Sequence, residues 1–258
     1  MLNAITHGKG RHFQSDISAG DSLRKAFLRS EDMLTATIFE RLAYLSGPVV
    51  WQILGLTFRP RFLPSLKIVQ LEEIEFWPTW SEARGRLGKS VIPDVVLRLS
   101  AGDPPRSLVL IVECKLDGSQ DPNQWAEEWI AHADEYPSSQ RPDEVWLLAL
   151  GGRPPLFEGA VARFVAEIHR NRGVEIQAAA GDWTDLLRAL DNLDLSAITD
   201  RRIVLDIRQA LDLFGYRTFS PMSELGRLAA DYAIADASIG SLRWHERPKA
   251  LGSLPIDR

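Results

Sequence analysis

The chain has 258 residues, a net charge of −5, and 45% hydrophobic and 25% charged residues, the make-up of a globular protein with room for a sizeable core. No apolar run approaches the about eighteen residues of a membrane span, and the N-terminal stretch lacks an apolar signal core, so no membrane partner is expected and the expected compartment is the cytoplasm. A single cysteine, Cys114, excludes an intramolecular disulfide and a cysteine-based zinc cluster, while the acidic balance argues against a nonspecific nucleic-acid coat protein without excluding a nuclease.

Residues 1–28 carry no sustained periodicity and are expected to form an N-terminal arm. Ser30 suits an N-cap, Glu31 and Asp32 fall in the first turn, and Leu34, Ile38, Leu42 and Leu45 follow at helical spacing. Gly47-Pro48 is expected to stop this helix. The apolar stretch 49–56 is ambiguous, and Arg59, Pro60, Arg61 and Pro64 mark a loop. Strand signals run from Ile68 to Phe76, broken by Trp77-Pro78-Thr79-Trp80, and 81–90 is a polar connection containing glycine. Two more strands follow at 91–97 and 108–115. Asp121 is placed to cap a helix from Pro122 to about Ala133. A strand (145–150), a helix (156–169), a strand (174–179), a helix capped by Asp182 (183–190) and a helix ending before Gly215 (202–214) complete the expected order. The tail after Pro221 holds a possible helix at 222–234.

Consecutive early strands predict an antiparallel meander, and the later alternation predicts parallel crossovers. The expected fold is α/β, a mixed central sheet flanked by helices, spanning residues 29–220. Residues 221–258 then form a C-terminal helix and tail.

The chemistry concentrates in Val91-Ile92-Pro93-Asp94-Val95-Val96-Leu97 and Leu108-Val109-Leu110-Ile111-Val112-Glu113-Cys114-Lys115. Both are apolar, β-branched-rich runs carrying charges where a buried strand should have none. Side chains alternate faces along a strand, so Glu113 and Lys115 point the same way and Cys114 the other, as a small buried hydrophobe. If the two runs pair as a hairpin, Asp94 joins the Glu113 face. On a wheel of about 100° per residue, Leu34, Ile38, Leu42 and Leu45 fall within about sixty degrees of Glu31, so Glu31 sits inside the core-facing stripe while Glu40 lies near the opposite pole. Two carboxylates and an ammonium on one surface suit a divalent cation and a water beside it.

A helical glutamate, a Pro-Asp opening a strand, a Glu-x-Lys ending the next strand and a helix carrying Gln124 together resemble the PD-(D/E)XK nuclease superfamily. The resemblance implies a restriction-endonuclease-like αβββαβ core and a Mg²⁺-dependent nuclease, with Mn²⁺ as a possible substitute. It also implies that Asp94 and Glu113 ligate the metal, Lys115 orients or activates the attacking water, Glu31 supports the metal, and Gln124 lies at the margin. DNA is the expected substrate, in restriction, phage defence, repair or mobile-element processing. The alternative is the same fold used as a catalytically silent module that binds nucleic acid or a protein. A compact domain with no separate reading module is expected to pair, as a homodimer or larger complex, so that two sites meet two antiparallel strands.

Ala83-Arg84-Gly85-Arg86-Leu87-Gly88-Lys89-Ser90 resembles a relaxed phosphate-binding loop, but such a loop must lead into a helix, and the residues that follow read as a strand. Arg84, Arg86 and Lys89 are instead candidates for contacts to a phosphate backbone. Arg243, Trp244, Arg247 and Lys249 form a basic tail expected to be a flexible end.

Overall fold

The computed structural model describes residues 2–9, 23–60, 63, 68–81, 90–136, 142–156 and 158–217. The chain divides into two compact units, Met1–Arg217 and Thr218–Arg258, and every described residue lies in the first. Arg84, Arg86, Lys89, the helix expected at 222–234 and the basic tail lie outside the described residues.

Two short helices, α1 (Leu2–Thr6) and α2 (Leu23–Leu28), fall within the stretch expected to form an N-terminal arm, and Ala4 and Ala26 are buried. Helix α3 (Glu31–Leu42) starts where the sequence indicates: the Ser30 hydroxyl accepts the Met33 N–H at 3.3 Å. Leu34, Ile38, Leu42 and Leu45 are all buried. Gly47-Pro48 does not stop this helix but opens the next, α4 (Gly47–Thr57). Proline is welcome in a first turn, where its missing N–H has no partner to lose. The ambiguous apolar stretch is thereby helical.

Strand β1 (Val69–Phe76) is followed by a two-stranded ribbon, β2 (Trp80–Ser81) and β3 (Ser90–Val91). The strand expected at 91–97 is therefore interrupted. Ser90 and Val91 pair with the ribbon, Pro93 interrupts, and β4 runs Val95–Ala101. The polar connection ends in a strand rather than a helix, which removes the phosphate-loop reading. Then come β5 (Arg106–Lys115), α5 (Pro122–Glu135), β6 (Glu144–Gly151), α6 (Glu158–Arg172), β7 (Ala178–Gly181), α7 (Trp183–Asp191) and α8 (Ile198–Leu213).

The main sheet has the order β1-β4-β5-β6-β7. Its first three strands are antiparallel, and β6 and β7 run parallel to β5, so this is an α/β unit with a mixed five-stranded sheet flanked by helices. Val95, Leu97, Leu108, Leu110, Val112 and Cys114 face one core layer with α3, α4, α7 and α8. On the other face Val96, Val109 and Ile111 join Trp80 and Ala131, and Leu147 and Ala149 join Trp125 and Val161. Strand β5 is thus covered on both sides, as a central strand should be. No helix among the described residues is long and apolar enough to cross a membrane.

Candidate active site

The β4–β5 register sets the geometry. Val95 pairs with Val112, so Asp94, one residue before β4, stands beside Glu113 near the end of β5. The Asp94 backbone and side chain are both fastened. Its carbonyl accepts the Trp77 N–H at 3.0 Å, and Oδ1 accepts the Trp77 indole N–H at 3.2 Å. Oδ2 accepts the Cys114 N–H at 2.8 Å. Trp77 achieves this with a φ of 48°, in the left-handed region that a bulky residue enters only under constraint.

Glu113 and Lys115 lie on one face of β5, and the Lys115 ammonium donates to Glu113 Oε1. The same ammonium lies 3.5 Å from Glu31 Oε1. Glu31 comes from α3, on the other side of the sheet, and its Oε2 accepts the Leu116 N–H at 2.6 Å. Both helical layers therefore meet at the carboxyl end of β5. The start of α7 packs there too: Trp183 donates its indole N–H to the Lys115 carbonyl at 2.9 Å. Gly151, with φ 77°, lies so close that a Cβ would be driven into the Lys115 carbonyl and the Trp183 ring.

A further acid completes the cluster. Glu128, on the inward side of α5, is fully buried. Its carboxyl lies in hydrogen-bonding contact with that of Glu113, and its Oε1 accepts the Gln124 amide N–H at 3.0 Å. The second oxygens, Glu113 Oε2 and Glu128 Oε2, are buried with no donor partner. Gln120 braces the floor, donating to the Glu113 carbonyl at 3.3 Å while accepting the Trp125 indole N–H at 3.0 Å.

The electrostatics follow from four acids sharing one ammonium. Burial pushes Asp94 well above the usual aspartate range, and the charge of Glu113 pushes it further, against the opposing pull of the Cys114 N–H and Lys115. Glu128 is likewise raised well above its ordinary value, by burial first, then by the Glu113 charge and the contact with it. Burial alone would lower Lys115, but Glu113, Glu31 and Asp94 outweigh it and push the ammonium up, so Lys115 stays charged. Cys114 is buried on the opposite face, its thiol raised by burial.

Asp94, Glu113, Lys115 and Glu31 are thus brought together, and Gln124 reaches the group through Glu128. Glu40 lies away from the cluster, but it is only half exposed and accepts the Asn3 N–H at 2.6 Å. Glu128 and Gln120 are not singled out by the sequence pattern, and Trp77 is marked there only as part of the break after the first strand. Glu128 had a signal: it falls three residues after Trp125 and four before His132, inside the buried stripe of α5, as Glu31 does in α3. Among the described residues, no group of three or more His, Cys, Asp or Glu side chains already surrounds a point where a metal ion would sit.

No protein-family model matches the sequence, and no solved structure matches it. An uncharacterized protein of Pasteurella multocida (strain Pm70), PM0110, is 30% identical over 233 residues, covering 84% of this chain and 81% of the relative. The chain belongs to the same family as that Pasteurella multocida protein.

Proposed function

We propose that the chain is a magnesium-dependent nuclease of the PD-(D/E)XK type that hydrolyses phosphodiester bonds in DNA. The observation that carries this reading is the meeting of Asp94, Glu113 and Lys115 at the carboxyl end of a central strand, with Glu31 joining from the opposite layer. The succession α3, β1, β4, β5, α5, β6 supports a restriction-endonuclease-like core. Buried ion pairs stabilise a fold less well than apolar residues of the same volume, so a core that keeps four acids and a lysine together favours function over packing.

The residues suit a hard divalent cation. The donors are carboxylate oxygens, the Glu113 Oε2 atom is buried without a partner, and the repulsion that raises Asp94 is of the kind a cation relieves. Asp94 and Glu113 would hold Mg²⁺, or Mn²⁺ in its place, and the bound ion would supply an activated water and offset phosphate charge. Lys115, held between Glu113 and Glu31, presents a permanent positive charge to water and phosphate. Glu31 fixes that ammonium and the Leu116 backbone. Gln124 acts through Glu128. Arg84, Arg86 and Lys89 grip the phosphate backbone, and the protein works as a homodimer or larger assembly in the cytoplasm.

One observation favours a second reading, the silent binding module: both Asp94 oxygens already accept protein donors. An assay with linear, circular, single-stranded and branched DNA separates the two. The nuclease reading expects cleavage with Mg²⁺ or Mn²⁺ that stops on chelation. DNA binding without cleavage under either metal supports the silent module.

A further inference from the structure

We propose that Glu128 belongs to the cation site as a third carboxylate beside Asp94 and Glu113, an inference that rests on the metal-dependent reading above. Glu128 has no exposed surface, and it projects from α5 among positions that otherwise pack Trp125, Ala126 and Ala131. An apolar side chain would serve the helix better there, because a buried polar oxygen without a partner costs free energy. Lys115 is committed to Glu113 and Glu31, and among the described residues no ion pair reaches Glu128.

The two oxygens left without donors, Glu128 Oε2 and Glu113 Oε2, belong to carboxyls that touch each other. Their other oxygens are each held by a donor of the surroundings, Gln124 for Glu128 and Lys115 for Glu113. The pair is thus oriented from both flanks with its free oxygens left over. Hydrogen-bond donors satisfy the outer atoms, and without a cation only a proton shared between the two carboxyls can satisfy the inner ones. A hard cation bound at Asp94 and Glu113 is the chemical class of ligand that accepts such oxygens. In this arrangement Gln124 is a positioning residue, four residues before Glu128 on the same helix face.

The test is calorimetric titration of the full chain with Mn²⁺ alone and Mg²⁺ alone, comparing wild type, Glu128→Gln, Asp94→Asn and the exposed-neighbour control Glu127→Gln. The expected result is a loss of Mn²⁺ affinity in Glu128→Gln at least as large as the about 10–100-fold that follows from altering groups that merely support metal ligands, with Glu127→Gln unchanged. Should the glutamine variant fail to fold by circular dichroism, Glu128→Met, close in shape and uncharged, carries the same expectation. Uptake lost in Asp94→Asn but intact in Glu128→Gln would overturn this inference alone. No cation uptake by the wild type would overturn it together with the nuclease reading.

Discussion

Glu128→Gln should stabilise the metal-free protein, and the gain should grow with pH. Glu128 is fully buried beside Glu113, and burial followed by the Glu113 charge raises it far above the ordinary glutamate value of 4.5. An acid whose folded-state value is raised binds its proton more tightly in the native state than in the unfolded one. Its penalty is absent below pH 4.5, appears as pH rises past the unfolded value, and grows until the folded value is reached. Retaining a proton that a free glutamate would release costs about 1.4 kcal/mol per pH unit, which sets a ceiling of about 3 kcal/mol at pH 7 and under about 1 kcal/mol at pH 5. Glutamine removes the ionisation, and its amide can donate to the unpartnered Glu113 Oε2. For a unit of this size the ceiling corresponds to a rise in Tm of about 6–12 °C at pH 7. Thermal melts of both proteins in chelator, across pH 4.5 to 8, provide the assay. A Glu128→Gln protein that is less stable than wild type at pH 7, or whose advantage does not change with pH, would show that burial of the Glu128 carboxyl carries no such penalty. Saturating Mn²⁺ should narrow the gap, because a ligand bound only by the native state stabilises the wild type preferentially.

Lys115→Ala should abolish cleavage and also cost about 3–5 kcal/mol by urea denaturation, since it strips the counter-charge from the Glu113 carboxylate, whose side chain is 2% exposed. An unchanged midpoint would show that the ammonium does not balance the cluster. Gly151→Ala should lose about 1–3 kcal/mol and cleavage with it, because a Cβ at φ 77° collides with the Lys115 carbonyl and displaces Trp183; a protein of wild-type stability and activity would contradict the close packing described there. Asp182→Ala removes the side chain that caps α7 by accepting the Thr184 and Asp185 N–H groups, and should cost about 1 kcal/mol in the same denaturation experiment while Mn²⁺ affinity stays unchanged.

Local rules read well where they coincide with tertiary demands. Ser30, Asp121 and Asp182 all cap helices, because an orphan N–H next to a short polar side chain is a local arrangement. Glu31 is legible as an acid inside an apolar stripe, and strand alternation alone puts Glu113 and Lys115 on one face. Glu128 escapes the same argument because its stripe also contains Gln124 and His132, so α5 presents no clean apolar face against which the acid stands out. The fastening of Asp94 by Trp77 spans seventeen residues and depends on a left-handed backbone that no propensity anticipates. Strand β7 shows tertiary context overriding local preference. Val174 and Ile176 are the better strand formers, yet Arg59 bridges Ala180, and the Leu147 N–H donates to the Gln177 carbonyl at 2.8 Å. Pairing therefore begins at Ala178.

Asp94 is the decisive position, because replacing Lys115 also unbalances Glu113, whereas Asp94→Asn leaves the Lys115 pairs untouched and keeps an acceptor for one of its two donors. The most direct measurement is therefore DNA cleavage by wild type and Asp94→Asn, purified identically and compared in Mg²⁺, in Mn²⁺ and in chelator. Metal-dependent scission by the wild type and none by a folded Asp94→Asn protein is the expected outcome. Equal cleavage by the two proteins, or no cleavage by the wild type with either metal, would contradict the nuclease reading.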